Sequence, residues 1–273
     1  MTFHSPRLRP LIRQTILMIC GLSLVLSMAT LPGFTQVSPA GDEDTLQTQV
    51  LQVGTEADYI PFEYRDPVSG ADEIIGFDID IANYIAQQLG LELQVQDIPF
   101  EQLLPAVASG ELDFAIAAIT PTIERAQALD FSDPYYESRH ALISRRSAPV
   151  RTLSDIVGKK VTVQSGSVQE SLLLQRVGLN IEVTSISTLN EMVSTIREGL
   201  ADVAMVEELV AEAYLENNPT LEMDVLGELE PSPVAIAFPK DSPYIEDFNA
   251  VIADMRNSGE LDVIARRWFT ADP

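Results

Sequence analysis

The sequence has one cysteine, Cys20, and two histidines, His4 and His140, and each shortage removes a class of chemistry. Cys20 lies inside an amino-terminal apolar run, so a chain that loses that run on export keeps no thiol, disulfide or cysteine nucleophile. Lipid modification of Cys20 is the alternative, but Leu17, Met18 and Ile19 lack the small side chains that such processing needs. His4 leaves with the same segment, and one remaining histidine builds no triad. Basic residues are also scarce: 17 Lys and Arg against 41 Asp and Glu give a net charge of −24. That balance excludes nucleic acid as a partner and suits a solvated surface outside the cytoplasm. No EF-hand, zinc, phosphate-loop or GxSxG pattern occurs, so no metal and no cofactor are expected.

A long apolar run is missing too. Arg7, Arg9 and Arg13 precede an uncharged stretch from Thr15 to Leu31 whose apolar heart, Ile16 to Met28, is shorter than a membrane span. It matches a signal peptide over residues 1–29, with Ser27 and Ala29 as the small residues before a cut, a later cut near Ala40 as a variant, and an uncleaved anchor as the alternative. Removing residues 1–40 takes three arginines and no acid, leaving 14 basic against 41 acidic residues. Residues 30–48, rich in Pro, Gly, Thr, Gln, Asp and Glu, read as a flexible leader.

The segment Gly110 to Asp133, GELDFAIAAITPTIERAQALDFSD, holds the most chemistry. Leu112 to Ile119 is an apolar run suited to a strand covered on both faces, and it ends at Thr120, Pro121 and Thr122. Thr122 can cap a following helix, with Glu124 and Arg125 in its first turn. Arg125 offers a planar fork of donors that fits a carboxylate, although an ordinary surface arginine fits these residues as well.

The rest of the chain alternates strand and helix. Val50 to Val53 is a strand, Gly76 to Gly90 a helix with a glycine stop, Leu91 to Val95 a strand, and Glu101 to Ser109 a helix with Pro105 one turn in. FEQLLPAVASGELDFAI (Phe100 to Ile116) is echoed by LNEMVSTIREGLADVAM (Leu189 to Met205): helix, glycine, acid, strand. LQVGT at Leu51 and VTVQS at Val161 repeat a strand exit. Two such modules predict an α/β protein of two doubly wound, Rossmann-like lobes with mostly parallel sheets; one larger sheet is the competing arrangement. Asp78 and Asp80 fall in a first helical turn, where capping and the helix dipole account for them.

Five strings in order then resemble the periplasmic solute-binding proteins of polar amino acid ABC importers: GTEADYIPFEY at Gly54, GFDIDIANYIA at Gly76, ITPTIERAQALDFSDPYY at Ile119, LADVAMVE at Leu200 and SGELDVIARRWF at Ser258. The resemblance spans Val50 to Phe269. It implies the type II periplasmic binding protein fold, with lobe 1 at residues 49–135 and 235–273, lobe 2 at 140–229, and a two-strand hinge at 135–139 and 230–234. His140 falls at that hinge and reads as structural. The lobes of this family close on one ligand, and the closed form docks on the permease subunits.

Position by position, the resemblance implies that Arg125 grips the ligand α-carboxylate with Thr120 assisting. The Ala118 carbonyl and Glu207 would take the α-ammonium, and Tyr59 and Phe100 would flank the side chain. The turn from Ser165 through Ser167 to Val168 would offer backbone N–H groups to the carboxylate. Gln164 stands where glutamine binders carry lysine, and Glu56 where binders of histidine or of lysine, arginine and ornithine carry an acid. A second pocket acid needs a cation from the ligand, which favours arginine, lysine, histidine or ornithine, with glutamine or a broad polar set as the other possibility. The resemblance thus implies a periplasmic, monomeric, non-catalytic receptor. A cyclohexadienyl-type dehydratase on the same fold and a ligand-sensing ectodomain are the alternatives; the second needs a membrane span and an output domain, and neither is expected after Trp268.

Overall fold

The computed structural model describes residues 49–68, 72–175 and 180–269. The expected signal peptide and leader lie outside them.

The chain begins with β1 (Val50–Thr55), β2 (Asp58–Tyr59), β3 (Glu63–Arg65), β4 (Ile74–Ile75), α1 (Phe77–Leu89), β5 (Glu92–Asp97), α2 (Phe100–Ser109) and β6 (Phe114–Ala115). A 3₁₀ turn at Arg125–Gln127 leads to β7 (Leu129–Phe131), β8 (Tyr136–Ser138) and β9 (His140–Arg145). Then come β10 (Lys160–Gln164), α3 (Val168–Gln175), β11 (Glu182–Ile186), α4 (Leu189–Glu198), β12 (Val203–Glu207), α5 (Glu208–Glu216) and β13 (Leu221–Val225). β14 (Ser232–Val234), β15 (Ala237–Pro239), α6 (Ile245–Ser258) and α7 (Glu260–Phe269) complete it.

Two five-stranded sheets organise two lobes, in the orders β5-β1-β6-β15-β7 and β11-β10-β12-β9-β13. The internal echo is their shared core. α2, Gly110 and β6 in the first lobe correspond to α4, Gly199 and β12 in the second, and both glycines end their helices in the left-handed conformation that lacks a Cβ penalty. As expected of mostly parallel sheets, four of the five strands in each run the same way, and one runs against them. β1 pairs in parallel with β5 and β6, and β10 with β11 and β12, but β15 and β9 enter antiparallel and pair antiparallel on both sides. Each is the strand that follows a crossing between lobes, so it arrives from the ligand-facing edge and runs against the others.

Alternation sends successive side chains to opposite faces. On β12, Val203 and Met205 pack with Val161, Val163 and Leu173, while Ala204 and Val206 pack with Met192, Ile196 and Val210. On β6, Phe114 meets Phe238 and Phe248, and Ala115 meets Leu103 and Val107 under α2. β8 and β14 form a separate antiparallel pair, Ser138 opposite Ser232 and Tyr136 opposite Val234.

α7 docks as its apolar terminus suggests. The Phe269 ring lies 4.5 Å from Phe77, and Trp268 Nε1 donates to Asp80 Oδ2 at 2.8 Å beside an Arg267 ion pair. Asp80 is therefore a tertiary anchor as well as a first-turn acid.

Candidate functional site

The strand exits of both sheets meet across one cleft. Tyr59, Phe100, Ala117, Ala118, Thr120 and Arg125 from the first lobe, and Gln164, Ser167, Val168, Gln169 and Glu207 from the second, line a single space of about 10 Å³. A space of that size holds about one water, far less than an amino acid.

Arg125 is held differently from the sequence expectation. The predicted helix is only a three-residue 3₁₀ turn, although Thr122 Oγ1 does accept from the Arg125 amide at 3.2 Å. The turn stays short because the chain enters β7 at Leu129. The guanidinium folds back, giving Nη1 to the Thr120 carbonyl at 2.7 Å and Nη2 to the Gly166 carbonyl of the other lobe at 3.0 Å. Its carbon lies 5.8 Å from the Phe100 ring centroid. Both contacts are to neutral carbonyls, and desolvation lowers the Arg125 pKa to about 10. A desolvated cation held by carbonyls has the chemistry to take an anion.

The expected strand through Leu112 to Ile119 is buried but regular only at Phe114–Ala115. Further on, Ala118 has a φ of 46°, which turns the chain off the extended path. Its amide donates to Asp78 Oδ2 at 2.7 Å, inside the protein. Asp78 lies in the first turn of α1 but makes no side-chain cap bond there; it holds the Ala118 amide instead. Beside it, Glu63 is fully buried; burial, then the neighbouring Asp78, pushes Glu63 well above the carboxylate range, and burial raises Asp78 to about 7.

Glu207 ends β12, buried, with Oε1 accepting from Gln169 Nε2 at 2.8 Å and Oε2 without a partner. Burial raises its pKa to about 8. Glu56 is not on the wall of the small space. It accepts a hydrogen bond from Gln164 Nε2 across the cleft, and burial, then the Asp58 charge, raises it to about 8. Beyond this pair opens a second cavity of about 280 Å³ lined by Glu56, Asp58, Asp97, Ile98, Pro99, Ser187 and Thr188 among others. Gln164 faces the small space and Glu56 the larger, so their hydrogen bond is the partition.

At the turn before α3, three of the expected amides are already engaged. Ser165 N–H donates to Ile186 O, Gly166 N–H to Glu170 Oε2 and Ser167 N–H to Gln164 O. The amides of Val168 and Gln169, in the first turn of α3, have no helical acceptor and remain for an anion.

Residues 51–271 match the bacterial extracellular solute-binding proteins, family 3. The chain belongs to that family. The arginine-binding extracellular protein ArtP of Bacillus subtilis (strain 168) is 37% identical over 227 residues, covering 81% of this chain and 87% of ArtP. A probable histidine-binding protein of Campylobacter jejuni is 30% identical over 224 residues, covering 81% and 85%. The amino acid ABC transporter substrate-binding protein AbpA of Streptococcus pneumoniae, solved bound to L-arginine, superposes with a TM-score of 0.76 at 35% identity, covering 81% of this chain and 94% of AbpA.

In this family 3 protein nine of the ten expected site residues share one wall, and Glu56 adjoins it through Gln164. Sequence reasoning missed Ala117, Gln169 and the supporting Asp78. The signal for Gln169 was available: it follows directly on the Ser165 to Val168 turn, in the first turn of the helix that the turn opens. Among the described residues no group of three His, Cys, Asp or Glu side chains is placed to hold a metal, and no helix is long and apolar enough to cross a membrane.

Proposed function

We propose that the protein is the extracytoplasmic receptor of an ABC importer for a basic L-amino acid, with arginine the best fit. The observation that carries this is the cleft's charge pattern: among the described residues, a guanidinium with no carboxylate partner on one lobe, and two buried carboxyls with no cation, Glu207 and Glu56, facing the same closure. The α-carboxylate would take Arg125 with Thr120 and the Val168 amide, replacing the Gly166 carbonyl. The α-ammonium would take Glu207 Oε2 and the Ala118 carbonyl. The ligand side chain would pass between Tyr59 and Phe100, displace the Gln164 amide from Glu56 and place its cation against that acid.

The arginine named for ArtP and AbpA supports this ligand class. Lobe 1 would comprise residues 49–135 and 235–273 and lobe 2 residues 140–229, with Ser167 and the rest of the α3 wall moving with lobe 2. We assign the closed form to the permease subunits, the receptor to the periplasm as a monomer, and no catalysis to the site; each acid in it has a binding role. The dehydratase alternative is not favoured by the named relatives, which are binding proteins.

A thermal-shift screen of the purified domain against the twenty amino acids, ornithine and citrulline tests the assignment, since a ligand that binds only the folded form raises the melting point. Arginine should give the largest shift. A neutral amino acid outranking every basic one would overturn the basic assignment.

A further inference from the structure

His140, at the start of β9, and Glu207, at the end of β12, are Cα partners in the antiparallel pairing, so their side chains stand on the same face of the second sheet. Gln169 of α3 covers both. Its Nε2 lies 2.8 Å from Glu207 Oε1 and 3.3 Å from His140 Nδ1, and all three side chains are buried. The far nitrogen of the ring, His140 Nε2, lies 3.0 Å from Ser232 Oγ on β14, one of the two strands joining the lobes. A chain of four side chains therefore runs from the joining strand to the carboxyl that ends in the cleft.

We propose that His140 is a positioning residue for amino acid binding: it accepts one N–H of the Gln169 amide, and so fixes the other N–H on Glu207 Oε1, leaving Oε2 for the ligand ammonium. The inference rests on the assignment of the ammonium to Glu207. With Glu207 ionised, the form that receives an ammonium, hydrogen-bond chemistry allows one arrangement of the chain. A side-chain amide nitrogen is a donor only, so Nδ1 must be the acceptor, and the neutral ring then carries its proton on Nε2 and donates to Ser232. Turning the Gln169 amide over would put its oxygen against both an imidazole lone pair and a carboxylate.

The arrangement has a second state. A protonated His140 presents Nδ1–H to the Gln169 N–H, donor to donor, and is relieved only if the amide flips and withdraws its donor from Glu207. Among the described residues the groups facing the ring are Glu207 from β12, Gln169 from α3 and Ser232 from β14; the neighbouring Arg139 and Glu208 pair with each other. Desolvation lowers the His140 pKa, so the accepting form holds at neutral pH and is lost in acid.

The test is calorimetric titration of the purified domain with L-arginine. At pH 7.5, His140→Phe, which keeps a ring and removes the acceptor, should weaken binding roughly tenfold. His140→Asn, whose Oδ1 can stand in for Nδ1, should stay within about threefold. In a Glu207→Gln background His140→Phe should add no further loss, because it acts only through Glu207. If His140→Phe does not fold, the wild type decides: its Kd divided by that of His140→Asn should rise as pH falls from 7.5 to 5. A flat ratio, a folded His140→Phe with wild-type Kd, or the full tenfold penalty persisting in Glu207→Gln overturns the proposal. Undiminished affinity in Glu207→Gln alone overturns the ammonium assignment and the proposal with it, whereas an impaired Glu207→Gln beside an unimpaired His140→Phe overturns the proposal only.

Discussion

Asp58 of the first lobe accepts a hydrogen bond from the Leu189 amide of the second, at 3.0 Å. Leu189 opens α4, so a carboxylate from one lobe supplies an N-terminal partner to a helix of the other, where the helix dipole favours negative charge. Tyr214 of α5 adds a second tie, its hydroxyl donating to the Asp58 carbonyl at 2.8 Å. Neither contact touches the small ligand space. They form a clasp between the two lobes at the cleft margin.

Removing the clasp should therefore cost affinity through the exit rate. Asp58→Ala is expected to raise the Kd for arginine about fivefold to tenfold, in line with the loss of a helix N-terminal partner. Stopped-flow dissociation should carry most of the change, and an unchanged exit rate would show that the clasp does not hold the ligand in.

Gly166 should tolerate no side chain. Its φ is +76°, and a Cβ there would come within 3.1 Å of Glu101 Cα on the opposite lobe, so Gly166→Ala is both strained and obstructed at the point of closest approach. The expected result is a loss of arginine affinity of about tenfold or more, with the melting point of the unliganded domain lowered by only a few degrees from the backbone strain. Equal affinity would mean that the lobes need not approach this closely.

Arginine binding should release protons at pH 7. Glu56 and Glu207 both have pKa values raised to about 8, chiefly by burial, so each is largely a neutral acid until a cation arrives and draws it back to the carboxylate. Affinity should rise between pH 6 and pH 8, and the calorimetric enthalpy at pH 7 should change with the ionisation enthalpy of the buffer. A buffer-independent enthalpy would place neither acid against the ligand cation. Glu56→Gln should weaken arginine and lysine while sparing neutral amino acids.

Without ligand, the same physics predicts falling stability toward alkaline pH. Asp78 has a folded pKa of about 7 against 3.8 unfolded, so the folded form binds its proton more tightly. That contribution is complete below pH 3.8 and is lost as pH rises through 7. Glu63, also raised, acts in the same direction. Scanning calorimetry should show the melting point dropping from pH 5 to pH 8, with a smaller drop in Asp78→Asn; an identical slope in that variant would remove Asp78 as a cause.

Much of this was legible from residue order. The helix, glycine and strand repeat at Phe100 and Leu189 predicted two like lobes because local periodicity and a left-handed glycine stop are written in adjacent residues. Arg125 stood out as a fork of donors shortly after a buried run, whereas Glu207 was marked by the family resemblance. What escaped depended on long-range partners. The antiparallel entry of β9 and β15 follows from which edge the chain returns to, which no window of sequence encodes. Asp78 looked like a first-turn acid, and only the fold brings the Ala118 amide to it. Asp58 and Gln169 were hidden for the same reason: helical or strand period gives the face a side chain takes, while the residue it meets there comes from another element or the other lobe.

The most direct measurement is titration of the purified domain with L-arginine, wild type beside Arg125→Ala. The proposed carboxylate clamp predicts a saturating isotherm for the wild type and none for the variant, because losing one partner of a desolvated charged pair costs about 2 to 5 kcal/mol. Undiminished affinity in a folded Arg125→Ala would contradict it.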